Sequence, residues 1–204
     1  MKKCCVVGIG YVGLPTAVIL ASNGFQVLGV DIDHEKINKL KRGEIYINEP
    51  NLEQIVKKQV SNGTLKVSTK VSKSDVFVIA VPTPLSRNDS TLPKPNIDYI
   101  LDAALQISKV IEKGNLVILE STSPIGSTEK IAEIILRKTN YSYNDIHIAY
   151  CPERVLPGDT LNELVSNDRV IGGLTKLASI KSKSFYQNFC RGVIHITDAK
   201  TAEM

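Results

Sequence analysis

The apolar run that opens the chain ends in Gly8-Ile9-Gly10-Tyr11-Val12-Gly13, a G-x-G-x-x-G spacing followed at once by a helical pattern over 14–22. No other stretch limits the fold as much. The first glycine permits a tight strand-to-helix turn, the second lets backbone approach a pyrophosphate, and the third lets helix and strand pack closely. N–H groups at the helix start, with the positive end of its dipole, then favour negative phosphates. Gly8, Gly10 and Gly13 are therefore expected to bind a dinucleotide. Glycines at this spacing also mark ordinary turns, so the flanking sequence has to decide.

A second strand is expected at 25–30, and it ends in Asp31, 18 residues beyond Gly13. That is close to the ~20-residue spacing of an acid that hydrogen-bonds an adenosine ribose. The alternative for Asp31 is a helix cap, a job Asp33 can do itself. An acid here disfavours a 2′-phosphate, so NAD is expected rather than NADP. Beyond it the patterns alternate: helices at 32–41 and 50–60, strands at 65–68 and 76–81, and a helix opened by Asn96 or Asp98 and closed by Gly114. A strand at 116–119, a helix at 125–138, strands at 146–149 and 169–171, a helix at 175–188 and a strand at 193–196 follow. Continuous apolar runs such as 76–81 suit parallel strands covered on both faces. The expected fold is α/β, a Rossmann-type doubly wound, mostly parallel sheet with helices on both faces. The polar, proline-bearing stretch 86–95 reads as a surface excursion.

Three polar segments fall where strands end: Pro82-Thr83-Pro84, Ser121-Thr122 and 151–158. Open α/β sheets bind ligands outside the carboxyl ends of their strands. Two prolines cannot donate to a ladder and force the chain out of the sheet; taken alone, they read as a rigid loop. Glu153 reads either as a group near the chemistry or as a solvated loop carboxylate.

With 43% hydrophobic and 23% charged residues over 204 positions, the chain can bury a large core. It has no apolar run of the ~18 residues a membrane span needs, and its N-terminus lacks the cleavage site of a signal peptide. The net charge of +4 is spread along the chain and no nucleic-acid module is present, so neither nucleic acid nor membrane is expected as a partner. Cys4, Cys5, Cys151 and Cys190 show no C-x-x-C spacing, and Cys4 and Cys5 should point to opposite faces of one strand. No metal site is expected, and free thiols point to the cytoplasm.

Gly8-Ile9-Gly10-Tyr11-Val12-Gly13-Leu14-Pro15, Asp31-Ile32-Asp33, Glu49-Pro50 with Leu52, Pro82-Thr83-Pro84, Glu120-Ser121-Thr122 and Cys151-Pro152-Glu153-Arg154 stand in the order of the UDP-glucose/GDP-mannose dehydrogenase family. The chain resembles the N-terminal NAD-binding domain of that family. The resemblance implies that Tyr11, Val12, Asp31, Lys36, Thr83 and Thr122 contact NAD, and that Arg154 and Val155 touch the nucleotide-sugar. It also implies that Glu153 and Thr122 hold water or a proton near the reacting carbon; Lys36 reads equally as an ordinary surface lysine. The segment 151–158 resembles the UDP-N-acetyl-D-mannosamine dehydrogenase branch, whereas the UDP-glucose branch usually has Asn-Pro-Glu-Phe there. UDP-N-acetylglucosamine and UDP-glucose remain alternative substrates.

The activity implied is oxidation of a sugar C6 alcohol to a carboxylate with two NAD per sugar. The family's catalytic lysine and cysteine segments have no counterpart here. On this reading 1–196 is the NAD-binding domain and 197–204 the start of a central linking helix, truncated, through which the full-length protein would form a homodimer. This chain alone would bind NAD without turnover. A stand-alone nucleotide-binding module is the rival.

Overall fold

The computed structural model describes residues 2–86 and 93–204. The chain starts as expected, with β1 (Lys3–Val7), α1 (Gly13–Ser22) and β2 (Gln26–Val30). Then come α2 (His34–Lys41), α3 (Leu52–Ser61), β3 (Leu65–Ser68) and β4 (Val76–Ile79). Two short strands, β5 (Leu85–Ser86) and β6 (Lys94–Pro95), precede α4 (Asp98–Ile107), β7 (Leu116–Leu119), α5 (Ser127–Thr139) and β8 (His147–Tyr150). The chain ends with α6 (Thr160–Ser166), β9 (Arg169–Gly173), α7 (Lys176–Tyr186), β10 (Ile194–Asp198) and α8 (Ala199–Glu203).

Eight strands form one sheet in the order β10-β9-β8-β7-β4-β1-β2-β3. Pairing is parallel throughout except between β8 and β9, where Ala149 faces Gly173 and Tyr150 faces Gly172 in antiparallel register. β9 and β10 are parallel to each other but run against the rest. From β1 the chain winds outward through β2 and β3, then returns to lay β4 on the other side of β1. The reversal opens a crevice at the carboxyl ends of β1 and β4, the place where doubly wound sheets hold ligands.

The core lies on both faces of the sheet. Cys4, Val6, Leu14, Leu20, Val78 and Phe185 belong to one buried cluster; Cys5, Phe77, Ile79, Ile100, Ile107 and Ile131 belong to the other. Cys4 and Cys5 thus point to opposite faces, as strand alternation requires. Fully burying each large side chain contributes about 1.5–3 kcal/mol. α1 is buried along nearly its whole length, because α3 and α6 cover the side it turns away from the sheet. No described helix is long and apolar enough to cross a membrane.

Three differences from the sequence reading stand out. The excursion at 86–95 is anchored by the antiparallel pair β5–β6, with Leu85 opposite Pro95, while 87–92 lie outside the described residues. α6 fills a segment in which no helix was expected. β10 runs through Asp198, so the closing helix starts at Ala199 and not at 197; the Asp198 side chain caps it by accepting from Thr201 N at 3.0 Å.

Candidate functional site

The turn 8–13 divides its glycines between two duties. Gly8 has φ +88°, and a Cβ there would lie 2.6 Å from Ala80 O at the end of β4. At Gly13 a Cβ would lie 1.8 Å from Gly8 O, so α1 can reach the turn only without a side chain. Gly10 has nothing within 4 Å of the same position and opens on the crevice. No side chain caps α1 and no acid lies in its first turn, which leaves that end open to an anion. These features fit a dinucleotide's pyrophosphate.

Asp31 leaves β2 beside this turn. Its carboxylate accepts from Ile9 N at 3.3 Å and from Asp33 N at 3.0 Å, which fixes its orientation. The helix cap is made by Asp33, which accepts from Glu35 N at 2.9 Å and Lys36 N at 3.2 Å. Asp31 therefore keeps lone pairs that α2 does not use. Lys36 is half-exposed, 3.9 Å from Asp33, with its ammonium 5.5 Å from the centre of the Tyr46 ring. Tyr46 donates to Ile9 O, tying that aromatic wall to the glycine turn.

The facing wall comes from the ends of β4 and β7. Thr83 donates to Thr122 O at 2.7 Å, and Ser121 donates to Val81 O at 2.7 Å, so the two loops are laced together. Gly10, Tyr11, Val12, Thr83, Thr122, Glu120 and Glu153 line one cleft of about 270 Å³. A larger hollow of about 460 Å³, lined by Lys2, Asp75, Lys181 and Phe185, lies at the amino ends of the parallel strands and holds none of these groups.

Beneath the cleft is a set of buried polar groups that the sequence reading had not connected. Glu153 is no solvated loop carboxylate: its side chain is 4% exposed and lies 2.8 Å from the guanidinium of Arg169, itself 3% exposed. Glu120, also buried, accepts from Tyr186 OH at 2.7 Å and from Thr16 Oγ1 at 3.2 Å. Burial pushes its carboxyl up to about 7, against the pull of Arg169 and with the push of Glu153. Cys151 sits below the same cluster, with its thiol pushed up to about 12 by burial, and Cys4 and Cys5 are likewise raised in the core. These three thiols are not poised as nucleophiles.

A family model described as "UDP-glucose/GDP-mannose dehydrogenase family, NAD binding domain" matches residues 2–190. The chain belongs to this family. It is 46% identical over its whole length to a UDP-N-acetyl-D-mannosamine dehydrogenase of Methanococcus vannielii and covers 46% of that relative. An NDP-N-acetyl-D-galactosaminuronic acid dehydrogenase of Ralstonia nicotianae is 45% identical, again over all of this chain and 49% of the relative. Among solved structures, the UDP-N-acetyl-mannosamine dehydrogenase Cap5O from S. aureus superposes with a TM-score of 0.94 at 43% identity, over 100% of this chain and 48% of that one. The chain spans about half the length of the relatives it matches. Its cofactor is NAD.

Within this NAD-binding domain the site residues named from the sequence fall into two groups. Gly8, Gly10, Tyr11, Val12, Gly13, Asp31, Thr83, Thr122 and Glu153 gather around the crevice at the reversal of strand order. Lys36 stands at its rim beside Tyr46. Arg154 and Val155 do not line the cleft: Arg154 is exposed and Val155 packs against the core. Arg154 N donates to Glu153 Oε1 at 2.8 Å, so its backbone helps fix the neighbouring carboxylate.

Two acids, Glu49 of the family pattern and Glu203 of α8, act as long-range ties. Glu49, buried in its loop before Pro50, accepts from Gly158 N at 3.0 Å, Thr160 N at 2.6 Å and Thr160 Oγ1 at 3.1 Å. It caps α6 from 111 residues away and fastens the loop that carries Glu153. Glu203 does the same for α5, accepting from Gly126 N at 2.6 Å and from Thr128 N at 2.8 Å, and so holds the segment after Thr122. Neither tie is written in local sequence; each needs a donor more than 70 positions distant.

Proposed function

We propose that this chain is the cofactor half of a dehydrogenase that oxidises the C6 alcohol of a UDP-N-acetylhexosamine, UDP-N-acetyl-D-mannosamine in first place, to the carboxylate. The supporting observation is the convergence of the glycine turn, Thr83, Thr122 and Glu153 on one strand-end cleft, in a chain 46% identical to a UDP-N-acetyl-D-mannosamine dehydrogenase. NAD supplies a two-electron acceptor, and taking an alcohol to an acid removes four electrons, hence two NAD per sugar.

On this reading Gly10, Tyr11 and Val12 receive the pyrophosphate, and Asp31 receives the adenosine ribose. Lys36, Thr83 and Thr122 line the rest of the cofactor path. Thr122 and Glu153 hold the water or proton that the sugar's C6 oxygen exchanges, and Arg154 and Val155 meet the nucleotide-sugar from the loop beyond. The thiol for the aldehyde stage is supplied outside these 204 residues. The full-length protein acts in the cytoplasm as a homodimer joined through the helix that α8 begins.

The test is NADH formation by the full-length protein with UDP-N-acetyl-D-mannosamine, UDP-N-acetylglucosamine and UDP-glucose. The expected result is two NADH per UDP-N-acetyl-D-mannosamine, with kcat/KM at least tenfold above either alternative; faster turnover of UDP-glucose would refute the sugar assignment. The isolated domain binds NAD in calorimetry without forming NADH. Asp31→Asn lowers that affinity roughly ten- to hundredfold, the loss expected for a charge-assisted hydrogen bond of about 1.5–3 kcal/mol. The same change narrows the preference over NADP. An unchanged NAD affinity would remove Asp31 from the ribose site.

A further inference from the structure

Glu153 lies on a loop beyond the end of β8, where a carboxylate has several rotamers and water to satisfy it. Here its choices are closed. One oxygen accepts from Arg154 N at 2.8 Å, the other lies 2.8 Å from Arg169 Nη1, and the side chain is shut off from bulk water. Arg169 is itself held from two further sides. Its Nη2 donates to Leu164 O at 2.8 Å, and its guanidinium lies 4.5 Å from the centre of the Tyr186 ring and 5.6 Å from that of Phe189. Tyr186 passes the constraint on to Glu120, which Thr16 of α1 holds from the other side. The chain of contacts thus joins the helix of the glycine turn to the carboxylate in the cleft.

Stability does not account for such a pair. Burying two ions costs desolvation that their attraction often fails to repay, and well-packed apolar residues of similar volume frequently serve as well. What a rigid guanidinium fork supplies, and an apolar pair does not, is a fixed direction for the carboxylate.

We propose that Arg169 is a positioning residue for the reaction, fixing the carboxylate of Glu153 at the wall of the cleft where it meets substrate. The inference rests on the reading of Glu153 given above. Glu153 faces Arg169 from β9 and Glu120 from the end of β7, while Tyr186 from α7 and Cys151 face Arg169 and Glu120, so Arg169 is the cation of the cluster. Without it, two buried carboxyls would adjoin with no cation between them.

The test uses the full-length protein carrying Arg169→Met or Arg169→Lys, with kcat, KM and NAD affinity measured across pH. Arg169→Met is expected to lower kcat at neutral pH at least tenfold, leave NAD affinity within about twofold, and move the acid limb of the kcat profile to higher pH, so that alkali restores activity. Arg169→Lys, which keeps the charge and loses the fork, should move the limb less while its kcat plateau stays below that of wild type. A loss of kcat that is the same at every pH, or a limb that stays in place, would mean that Arg169 only supports the fold, and the proposal fails. Should Arg169→Met not fold, Arg169→Lys decides by the same limb.

Carbon-13 carboxyl spectra, with Glu153→Gln assigning the signal, read the same group without turnover. An upward move of that signal's titration midpoint in the arginine variants supports the proposal even if the wild-type protein ignores UDP-N-acetyl-D-mannosamine, which would sink the substrate reading alone. An unmoved midpoint overturns the proposal whatever the substrate.

Discussion

Gly13→Ala should melt well below the wild-type protein, by roughly 6–12 °C, while Gly10→Val should melt with it and bind NAD at least tenfold more weakly. The first number follows from the 1.8 Å between a Cβ at Gly13 and Gly8 O. Both partners are backbone, so no rotamer change relieves the overlap, and either the turn or the start of α1 must move. Forcing an extra carbon into such a place costs on the order of 3 kcal/mol, and each kcal/mol shifts Tm by about 2–4 °C in a chain of this size. Gly10 carries neither burden: nothing lies within 4 Å of its missing Cβ, and its φ is not one that strains a side chain. Bulk added there fills the space the cofactor needs and nothing else. Thermal unfolding and NAD titration separate the two variants, and equal melting of wild type and Gly13→Ala would refute the close-packing argument.

Glu120→Gln is the second large effect, and its sign depends on pH. Burial lifts the Glu120 carboxyl from its ordinary range to about 7 in the folded chain. The folded state therefore binds this proton more tightly than the unfolded state, so stability from this group is full below the unfolded value near 4.5 and falls as pH rises from there to about 7. At about 1.4 kcal/mol per unit, ionising the group costs the fold roughly 3–4 kcal/mol at pH 8 relative to low pH. Glutamine is neutral at every pH and can serve both neighbours, accepting from one hydroxyl and donating to the other. Denaturant unfolding should find Glu120→Gln more stable than wild type at pH 8 by roughly 1–3 kcal/mol, near wild type at pH 5, and flatter in between. A variant whose stability parallels wild type across that range would show that Glu120 is already ionised throughout.

The parts of this molecule legible in its sequence are those encoded by neighbours in the chain. The glycine turn, Asp31 at the end of β2 and Asp33 as a cap follow from spacing alone, because each depends on residues within one βαβ unit. Strands β4 and β7 are continuous apolar runs, and their polar sequels mark the ligand side of the sheet. α6 was not legible: its first-turn N–H is satisfied by Glu49, whose role depends on tertiary approach and not on pattern. Arg169 was hidden for the same reason. It opens an ordinary-looking strand, and nothing local says that the strand is reversed or that Glu153 is its partner. The burial of Glu153 was missed with it, since an acid in a proline-bearing loop reads as solvated until its cation is found.

The antiparallel seam between β8 and β9 changes which residues a Rossmann-type sheet can use. In a parallel sheet the ligand edge belongs to the last residue of every strand, and the first residues are stranded at the opposite edge. Turning β9 over delivers a strand's opening residue to the ligand edge instead. The pairing of Ala149 with Gly173 and Tyr150 with Gly172, carried past the end of β8, sets residue 153 against residue 169. The Glu153–Arg169 pair is thus a cross-strand neighbour that no all-parallel arrangement of the same segments could make, and the reversed pair of strands amounts to a second source of side chains for one cleft.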